Sequence, residues 1–498
     1  MTRRDNNPGE SGPDPAPEGR PEIPPPLAAM LSRLVKHGRP LLVGGCVRDW
    51  LLGREPEEYD VEVFGLDYDK LLRILRPFGS TDVVGKQFGV VRVHRDDTAF
   101  DFSLPRREIK TGSGHRGFDV RPDPTLPVER AALRRDFTVN AISWDPRTEQ
   151  IIDPLGGLTD LRRRRLRHAG NAFSEDPLRV LRAFQLAARL DLTLAPETAE
   201  LCRSIRPAFD ELPQERIWGE WEKWAALSEI PSRGLDVLRR TGWLDCFPEL
   251  AALDGLPQDP EWHPEGDVLT HTGHCTDSLA RMEAWRMAAR PKRRDLMLAV
   301  LAHDFGKATT TVRAEKDGVM RWVSPRHETE GGPPATRFLE RIGAPRAVRE
   351  FVVPLVENHL FHIHAGDNPG APALRRLARR LHPAAIEDLC LVMLADLRGR
   401  PPREEHNRPV IDRLREGARQ LRIENEAPRP ILLGRHLIAE GLRPGPQFKP
   451  ILDALFEAQL DGAFSTEDEG VAYLRRNRDS LQPTQSGAPS RQSRDQTP

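Results

Sequence analysis

The clearest alternation of apolar and polar positions along the chain lies near residue 60. The apolar Tyr59, Val61 and Val63 alternate there with the acidic Glu58, Asp60 and Glu62. Because successive side chains of a strand point to opposite faces, the pattern predicts a strand over Tyr59–Phe64. Its acidic face has two interpretations, a solvated strand edge or a site for a divalent cation among three carboxylates.

The segment before this strand predicts a second strand, a sharp turn and a helix. Residues 41–43 are an apolar run typical of a buried strand, and residues 47–52 place apolar side chains on one helical face. Gly44 and Gly45 lie between them, where a chain turns sharply or lets a ligand approach its backbone. The free N–H groups at the helix start suit a phosphate group. A phosphate seat beside acidic side chains indicates phosphoryl or nucleotidyl transfer.

The rest of the first 170 residues alternates between strand-like and helix-like patterns. We expect helices over 26–37 and 67–75, and strands over 88–94, 99–104 and 138–144. Asp101, on the second of these strands, is a candidate third acid for the cation site. Residues 106–120 are basic and glycine-containing without apolar periodicity, so they form either a flexible loop or a mobile strap over triphosphate or RNA. The basic run 162–168 is either solvated surface or a track for an RNA backbone.

From residue 171 the periodicity becomes helical. Residues 174–190 predict a helix with Ser174 as N-cap and a proline in its first turn. Asp176 and Arg179 are three residues apart, so we expect them on the same helical face. By itself this pair indicates no more than a surface ion pair.

Beyond residue 254 histidines and aspartates recur in a regular order. They are His271, the pair His303-Asp304 after an apolar run, His327, His359 and Asp396. Imidazole and carboxylate ligands together suit a first-row transition metal, which can activate water for phosphoester hydrolysis. His327 and His359 leave room for a second ion.

Composition narrows the picture without naming a partner. The 498 residues suffice for several domains, and the net charge of −1 (74 basic and 75 acidic residues) gives no global sign of nucleic-acid binding. The five cysteines form no CxxC pair, which argues for a reducing, cytoplasmic setting and against a disulfide framework. No apolar run has the length of about 20 residues that a membrane span needs.

Several blocks resemble the bacterial CCA-adding tRNA nucleotidyltransferases, which share a polymerase-beta-like head with poly(A) polymerases. The head motif GG-x-VRD-x-LLG matches residues 44–53, and RRDFT-x-NA matches residues 134–141. Residues 175–179 (EDPLR) match the family's E-D-x-x-R motif, and residues 215–221 (ERIWGEW) resemble the motif that braces its helix. The histidines and aspartates resemble the ligands of HD-type phosphohydrolases. Residues 430–478 resemble the C-terminal tail of long bacterial members of the CCA-adding family.

The resemblance implies an α/β nucleotidyltransferase head with a small mixed sheet, followed by all-α neck, HD and tail domains. We expect disorder over 1–25 and 481–498, the head over 39–168, the neck over 169–254, the HD domain over 255–410 and the tail over 411–480. The implied partners are tRNA, CTP and ATP, with Mg²⁺ in the head and a divalent transition metal in the HD domain. No membrane partner is expected.

The resemblance also assigns candidate site residues. The acids that would hold Mg²⁺ are Glu58, Asp60 and Glu62. Those that would bind nucleotide are Gly44, Gly45, Arg48, Arg134, Arg135, Asp136, Asn140, Asp176, Arg179 and Arg182, with Asp176 and Arg179 pairing with the C or A base. Glu58 stands where the family has aspartate, so either Asp60 and Glu62 form the working pair or the head is weakened.

Three other functions stay open from the sequence. The nearest is a poly(A) polymerase, against which the intact HD set argues. The second is an HD phosphohydrolase of nucleotides or cyclic phosphates with an RNA-binding head, and the third is an RNA-binding scaffold without activity. Whether the product is CC, A or the full CCA is left undetermined.

Overall fold

A computed structural model describes residues 20–82, 89–95, 98–110, 118–364, 366, 369–401 and 408–481. The chain divides into two compact units. The first comprises Met1–Gly255, Thr276–Met297 and Arg337–Ala344, and the second Leu256–Cys275, Leu298–Thr336 and Pro345–Pro498. The tails predicted to be disordered lie outside the described residues, except for residues 20–25, of which Pro25 begins a helix, and residue 481, which ends one.

The strands of the structure are short. They are β1 Arg39–Val43, β2 Tyr59–Phe64, β3 Ser80–Asp82, β4 Val90–Arg95, β5 Thr98–Ser103, β6 Arg106–Lys110, β7 Phe118–Pro122, β8 Ser143–Asp145, β9 Gln150–Ile152, β10 Arg165–Leu166, β11 Thr193–Leu194, β12 Val312–Lys316 and β13 Val319–Val323.

The helices dominate the chain after residue 177. They are α1 Pro25–Leu34, α2 Gly45–Leu51, α3 Tyr68–Leu75, α4 Val128–Ala132, α5 Gly157–Arg162, α6 Leu178–Leu190, α7 Pro196–Ser204, α8 Gln214–Leu227, α9 Pro231–Thr241, α10 Pro248–Ala251, α11 Val268–Arg281, α12 Glu283–Arg286, α13 Arg290–Ala302, α14 Lys307–Thr310, α15 His327–Glu330, α16 Gly332–Arg341, α17 Arg346–Asn358, α18 Phe361–His364, α19 Ala371–Leu381, α20 Ile386–Arg398, α21 Arg408–Gln420, α22 Gly434–Ala439, α23 Phe448–Asp461, α24 Glu467–Arg476 and α25 Arg478–Leu481.

A seven-stranded mixed sheet forms the head, in the order β3-β4-β5-β2-β1-β8-β9. The β2–β5 pair is parallel and its neighbours are antiparallel. The register sets Asp60 of β2 opposite Asp101 of β5. Because residues in register on adjacent strands share a face, the two carboxylates lie side by side, and Val61 and Val63 alternate into the core.

An aromatic core holds the neck helices of the first unit together. Phe184 of α6 packs at 4.6 Å and 5.3 Å between ring centroids against Trp221 and Trp224 of α8. Trp221 also meets Phe247 edge-on at 5.0 Å. These large buried rings fix the angle at which α6 presents its first turn to the head.

The predicted mixed sheet with a largely helical remainder is confirmed, with local corrections. The neck and the region beyond it are not purely helical, because β10 pairs with β11 and β12 with β13. The predicted basic loop over 106–120 begins and ends as strands, since β6 and β7 form a hairpin. Its middle, residues 111–117, lies outside the described residues.

Two further local predictions are wrong. The expected strand over 138–144 is a 3₁₀ turn, Thr138–Asn140, followed by β8. The helix expected from Ser174 begins only at Leu178, because the proline at 177 forces Asp176 into an extended conformation (φ −125°, ψ 102°). Asp176 therefore precedes the helix, and its Oδ1 accepts the backbone N–H of Leu178 at 3.2 Å.

The second unit carries its own buried clusters. Between residues 430 and 475, a separate core forms from Leu432, Leu437, Leu442, Ile451, Leu455, Phe464 and Leu474. Among the described residues, no helix combines the length and the apolar character needed to cross a membrane.

Candidate functional sites

A cleft of about 540 Å³ in the first unit collects the residues predicted to bind nucleotide. All ten line it: Gly44, Gly45, Arg48, Arg134, Arg135, Asp136, Asn140, Asp176, Arg179 and Arg182. Glu58 and Asp60 line the same cleft, whereas Glu62 lines an adjoining cavity of about 260 Å³ together with Asp60 and Asp101. Residues that are far apart in the sequence therefore meet in one largely basic depression.

Gly44 allows the backbone to approach the side chains of Arg135 and Asp60 in this cleft. Its φ of +75° favours glycine, and a Cβ added there would lie 3.6 Å from both the Arg135 guanidinium and the Asp60 carboxylate. The turn into α2 thus brings the backbone against the charged groups without a side chain between them.

The three acids predicted to hold one ion are not equivalent. Glu62 accepts a hydrogen bond from Arg135 at 3.2 Å, and Glu58 lies one residue before β2, where its side chain is exposed. Asp101, beside Asp60, is held by Arg92 through two bonds of 2.7 Å. Within the described residues no three of these acids form one close group, and Asp60 has different neighbours on either side.

The surroundings of Asp60 suit a cation. Desolvation in the cleft raises the pKa of the Asp60 carboxyl above its ordinary value, with Arg135 opposing this rise. The negative charges of Asp101 and Glu58 raise the pKa further. A divalent cation bound there would offset the like-charge repulsion, so the donor set of Glu58 and Asp60 is compatible with Mg²⁺.

Asp136 lies at the centre of a buried network that joins head and neck. Its Oδ2 accepts from Arg182 of α6 at 2.8 Å, and its Oδ1 accepts from Asn140 at 2.9 Å. Asn140 in turn accepts from Arg48 of α2 at 2.6 Å. Burial would raise the pKa of Asp136, but Arg182 and Asn140 outweigh it and hold this pKa at about 2. Asp136 therefore stays ionised and positions two arginines of the cleft.

Asp176 and Arg179 line the cleft, are joined by a backbone hydrogen bond of 3.0 Å, and direct their side chains to different partners. Asp176 accepts from Arg216 of α8 at 2.8 Å. The Arg179 guanidinium donates to the backbone carbonyl oxygens of Ala172 at 2.7 Å and Arg134 at 2.9 Å. Arg216 of the neck helix α8 thus fixes the direction of the Asp176 side chain. Two backbone carbonyl oxygens fix the direction of the Arg179 side chain.

The sequence motif ERIWGEW contains the residues that brace this first turn. Arg216 holds Asp176, and Glu220 lies 3.9 Å from Arg182. These are the contacts through which the motif would brace the helix, as predicted. Arg216 was not among the predicted site residues. Arg189, Lys223 and Arg290 also line the cleft, and no local pattern pointed to them.

The histidines and aspartates of the second unit converge in a buried cluster, which we call the histidine–aspartate cluster. Its predicted members are His271, His303, Asp304, His327, His359 and Asp396. Asp304 is central, because its Oδ2 lies 3.3 Å from His303 Nε2 and its Oδ1 lies 3.2 Å from His327 Nε2. His271 Nε2 lies 3.0 Å from Asp396 Oδ1.

The imidazoles of the cluster are oriented as metal ligands are. The Nδ1 atoms of His303, His327 and His359 each lie 2.7 Å from a backbone carbonyl oxygen, so each presents Nε2 to the centre. Nε2 of His303 and of His359 is buried and makes no well-aligned hydrogen bond, although Asp304 Oδ2 lies 3.3 Å from that of His303. Imidazoles held by their second nitrogen and aimed at carboxylates form a donor set that fits a transition metal.

Further groups of the cluster escaped the sequence analysis. The Glu265 side chain is fully buried, and its Oε1 lies 2.8 Å from Nδ1 of both His263 and His271. Burial would raise the pKa of Glu265, but these hydrogen bonds outweigh it and hold the pKa at about 2. Lys307 lies 2.7 Å from Asp304, and Arg400 lies 2.5 Å from Asp396. Only the fold shows that these cations reach the cluster.

Two protein-family models match segments of the first unit. Residues 41–167 match the family described as Poly A polymerase head domain, and residues 191–253 match the Probable RNA and SrmB-binding site of polymerase A. The Multifunctional CCA protein of Xanthomonas campestris pv. campestris (strain B100) is 37% identical over 430 residues, 84% of this chain and 96% of the relative. The chain belongs to the CCA-adding tRNA nucleotidyltransferase family.

Solved structures of this family share the fold. The Bacillus stearothermophilus CCA-adding enzyme in complex with CTP is 24% identical with a TM-score of 0.61, covering 92% of this chain and 99% of that one. The Thermotoga maritima CCA-adding enzyme complexed with tRNA is 18% identical with a TM-score of 0.50, covering 92% and 96%. The prediction that the chain is a nucleotidyltransferase is confirmed by its family.

Proposed function

We propose that the protein is a CTP/ATP:tRNA nucleotidyltransferase that builds or repairs the 3′-terminal CCA of tRNA. One observation carries the proposal. All ten predicted nucleotide-binding residues line a single cleft together with Glu58 and Asp60. The family membership supports it, and the similar enzymes described with CTP and with tRNA supply the substrate classes.

The reaction needs positioning and charge stabilisation more than covalent chemistry. The tRNA 3′-hydroxyl oxygen bonds to the α-phosphorus, the bond from that phosphorus to the bridging oxygen breaks, and pyrophosphate leaves. The hydroxyl proton passes to solvent. Arg48, Arg134 and Arg135 line the cleft together with Gly44 and would neutralise the triphosphate with bidentate contacts.

Glu58 and Asp60 are the residues that would hold Mg²⁺ in the head. The ion, when bound, supplies charge stabilisation at the phosphates and a lower pKa for the attacking hydroxyl. Glu62 is already engaged by Arg135, which favours the pair Glu58–Asp60 over Asp60–Glu62. Asp136 and Asn140 keep Arg182 and Arg48 in place.

Single-nucleotide extension of tRNA that ends at the discriminator base tests the proposal. We expect incorporation from CTP and ATP and loss of at least about 10²-fold in rate for Asp60→Ala, with tRNA binding nearly intact. Glu149→Ala, an exposed acid outside the cleft, is the matched control. Normal incorporation by Asp60→Ala would contradict the site, and long adenosine runs with poor use of CTP would instead identify a poly(A) polymerase.

The identity of the second acid is tested by a short series. If Glu58 is a ligand, Glu58→Asp keeps activity and Glu58→Gln loses most of it, since the neutral amide is a much weaker ligand. Glu62→Gln should lower activity less, through the freed Arg135. The reverse order, with Glu58→Gln silent and Glu62→Gln inactive, would make Asp60 and Glu62 the working pair.

We propose as a second activity that the histidine–aspartate cluster is a metal-dependent phosphohydrolase centre. The buried Nε2 atoms of His303 and His359 support it, since both lie near Asp304 without a well-aligned hydrogen bond. A transition-metal ion would supply water activation and polarisation of the phosphate. A cavity of about 520 Å³ lined by His327, Lys307 and Arg400 offers a phosphate both cations and access to the cluster.

The second activity is tested with a phosphomonoester and a phosphodiester chromogenic substrate. The chelated protein should be inactive, and Co²⁺, Ni²⁺, Mn²⁺ or Zn²⁺ added singly should restore hydrolysis. Asp304→Asn should abolish it, whereas His364→Ala, an exposed histidine outside the cluster, should not. Hydrolysis that persists unchanged in Asp304→Asn would assign the activity to a contaminant.

A further inference from the structure

Cys275 is a buried thiol inside the histidine–aspartate cluster that neither proposed activity uses. It lies on α11 four residues after His271, so both side chains project from the same face of the helix. Its Sγ is 3.3 Å from His271 Nε2, and the residue is fully buried. The ordinary interpretation of a buried cysteine is a small core residue among apolar neighbours.

The neighbours of this sulfur are not those of a core residue. One ligand atom each from His271, Cys275, His303 and Asp396 lie within 4.8 Å of one another. His303 Nε2 is fully buried and makes no well-aligned hydrogen bond, although Asp304 Oδ2 lies 3.3 Å away, and it belongs to the same group. Two imidazoles, a carboxylate and a sulfur atom thus face one point.

Asp304 separates this group from a second one. Asp304, His327 and His359 form their own set of ligand atoms within 4.8 Å. The two carboxylate oxygens of Asp304 face different imidazoles, with Oδ1 near His327 and Oδ2 near His303. The cluster therefore offers two adjacent positions, and Cys275 belongs to the position that contains His271.

The chain makes space for the sulfur at Gly399. A Cβ added to Gly399 would lie 2.2 Å from Cys275 Sγ and 3.1 Å from the Cys275 backbone nitrogen. Gly399 follows α20, which carries Asp396, and its carbonyl oxygen lies 3.3 Å from His271 Nδ1. A glycine at this one position lets the sulfur sit against the segment that supplies the carboxylate.

We propose that Cys275 is the fourth ligand of an ion held by His271, His303 and Asp396, and that its sulfur makes this position selective for Zn²⁺ or Co²⁺ over Mg²⁺ and Mn²⁺. The inference rests on the proposed metal centre but concerns ligand identity, not hydrolysis. Binding requires the thiolate, so the thiol proton is released to solvent as the ion enters. Thiolate with imidazole favours the softer ions of the first row, whereas oxygen ligands alone suit Mg²⁺ and Mn²⁺.

Cobalt absorption of the full-length protein tests the ligand directly. The protein is stripped with a chelator, reloaded with Co²⁺, and examined for a thiolate-to-cobalt charge-transfer band in the near ultraviolet. Cys390→Ala removes a buried cysteine of α20 that is not one of the proposed ligands. Wild type and this variant should both show the band. Cys275→Ala and Cys275→Ser should retain cobalt in the visible spectrum and lack the band.

Zinc affinity supplies a second measurement that does not depend on catalysis. Cys275→Ser should bind Zn²⁺ at least about 10-fold more weakly, while its Mn²⁺ affinity changes little. Circular dichroism of the metal-free variants verifies that they fold. A charge-transfer band that persists in Cys275→Ser, or cobalt-loaded wild type without the band, would overturn the proposal.

The failure of each proposal is distinguishable. If wild type binds no Co²⁺ or Zn²⁺ at all, the metal centre itself and this ligand both fall. If the band appears and depends on Cys275 but no phosphoester is hydrolysed, the ligand assignment stands and the phosphohydrolase proposal fails.

Discussion

At the scale of single residues, Asp136 shows how one buried carboxylate organises the nucleotidyltransferase cleft. It accepts from Arg182 and Asn140, and Asn140 accepts from Arg48. The two arginines come from α6 and α2, which the sequence separates by more than a hundred residues. A carboxylate in that position determines where both positive charges point, without itself having to touch a ligand.

Replacing Asp136 by asparagine should lower both stability and rate. We expect the free energy of unfolding to fall by about 2 kcal/mol, because the buried acceptor of Arg182 loses its charge. The pKa of Asp136 is lowered to about 2, so its contribution is complete above the ordinary pKa near 4 and is lost as the pH falls through 2. Denaturation of wild type and variant at several pH values measures this.

The free energy of unfolding of wild type should therefore exceed that of Asp136→Asn by a constant amount above pH 4. Below pH 4 this difference should become smaller. Asp236→Asn, which removes one partner of the exposed Arg240 ion pair, is the control and should cost less than about 1 kcal/mol. A difference between wild type and Asp136→Asn that grows as the pH falls would contradict the proposed ionisation of Asp136.

At the scale of elements, the pairing of α6 with α8 governs the end of the cleft that we propose reads the base. Pro177 delays the helix start, which leaves Asp176 extended at the entrance to α6. Arg216 of α8 then holds this carboxylate at 2.8 Å, while Arg179 is held by backbone carbonyl oxygens. The proposed base reader is thus built from two helices and the 3₁₀ segment Asn171–Glu175, whose Ala172 carbonyl oxygen holds Arg179.

Asp176→Ala should weaken discrimination between bases. A carboxylate can accept from the exocyclic amine of C or A, whereas U offers no such amine, and a site built on hydrogen bonds rejects bases that leave it unpaired. We expect the use of UTP and GTP to rise relative to CTP and ATP, with a lower total rate. Arg179→Ala should lower both rate and discrimination. Extension of tRNA with each of the four triphosphates measures both.

Arg216→Ala should act in the same direction as Asp176→Ala, because it frees the carboxylate that Arg216 positions. Arg239→Ala, which breaks an ion pair of the neck at Asp254 outside the cleft, is the matched control. If Asp176→Ala and Arg216→Ala keep the wild-type preference for C and A, the base-reading role is wrong even if both proteins add nucleotides.

At the scale of the whole molecule, the two candidate centres belong to different compact units. All residues that line the nucleotide cleft, including Lys223, Leu227 and Arg290, belong to the first unit. The histidine–aspartate cluster lies in the second unit. Each unit has its own buried residues and its own set of charged groups. Chemistry at one centre should therefore survive loss of the other.

The double variant His303→Ala with Asp304→Ala should lose phosphoester hydrolysis and keep nucleotide addition at nearly the wild-type rate. Asp60→Ala should show the reverse. Both activities are measured on the same preparations, with circular dichroism to verify folding. A folded double variant that no longer adds nucleotides would mean that the two centres are not independent.

The sequence by itself determined the fold class and named most residues of the two candidate sites. Alternation in β2, the apolar run of β1 and the glycine pair between them are local patterns, and the structure contains a strand or turn at each. Motif matches placed the candidate nucleotide-binding residues, which the structure brings into one cleft. Local periodicity and short motifs suffice for such features because each element is specified within a few neighbouring residues.

Only the tertiary structure decided which side chains meet. Arg216 pairs with Asp176 across 40 residues, Arg135 occupies Glu62 across 73, and Cys275 faces His303 from another helix. A local pattern also cannot show that β6 and β7 pair, since their ladder is made by backbone groups. Partner choice depends on how helices and strands pack, so the engagement of Glu62 by Arg135 and the sulfur beside His271 emerge only in the folded chain.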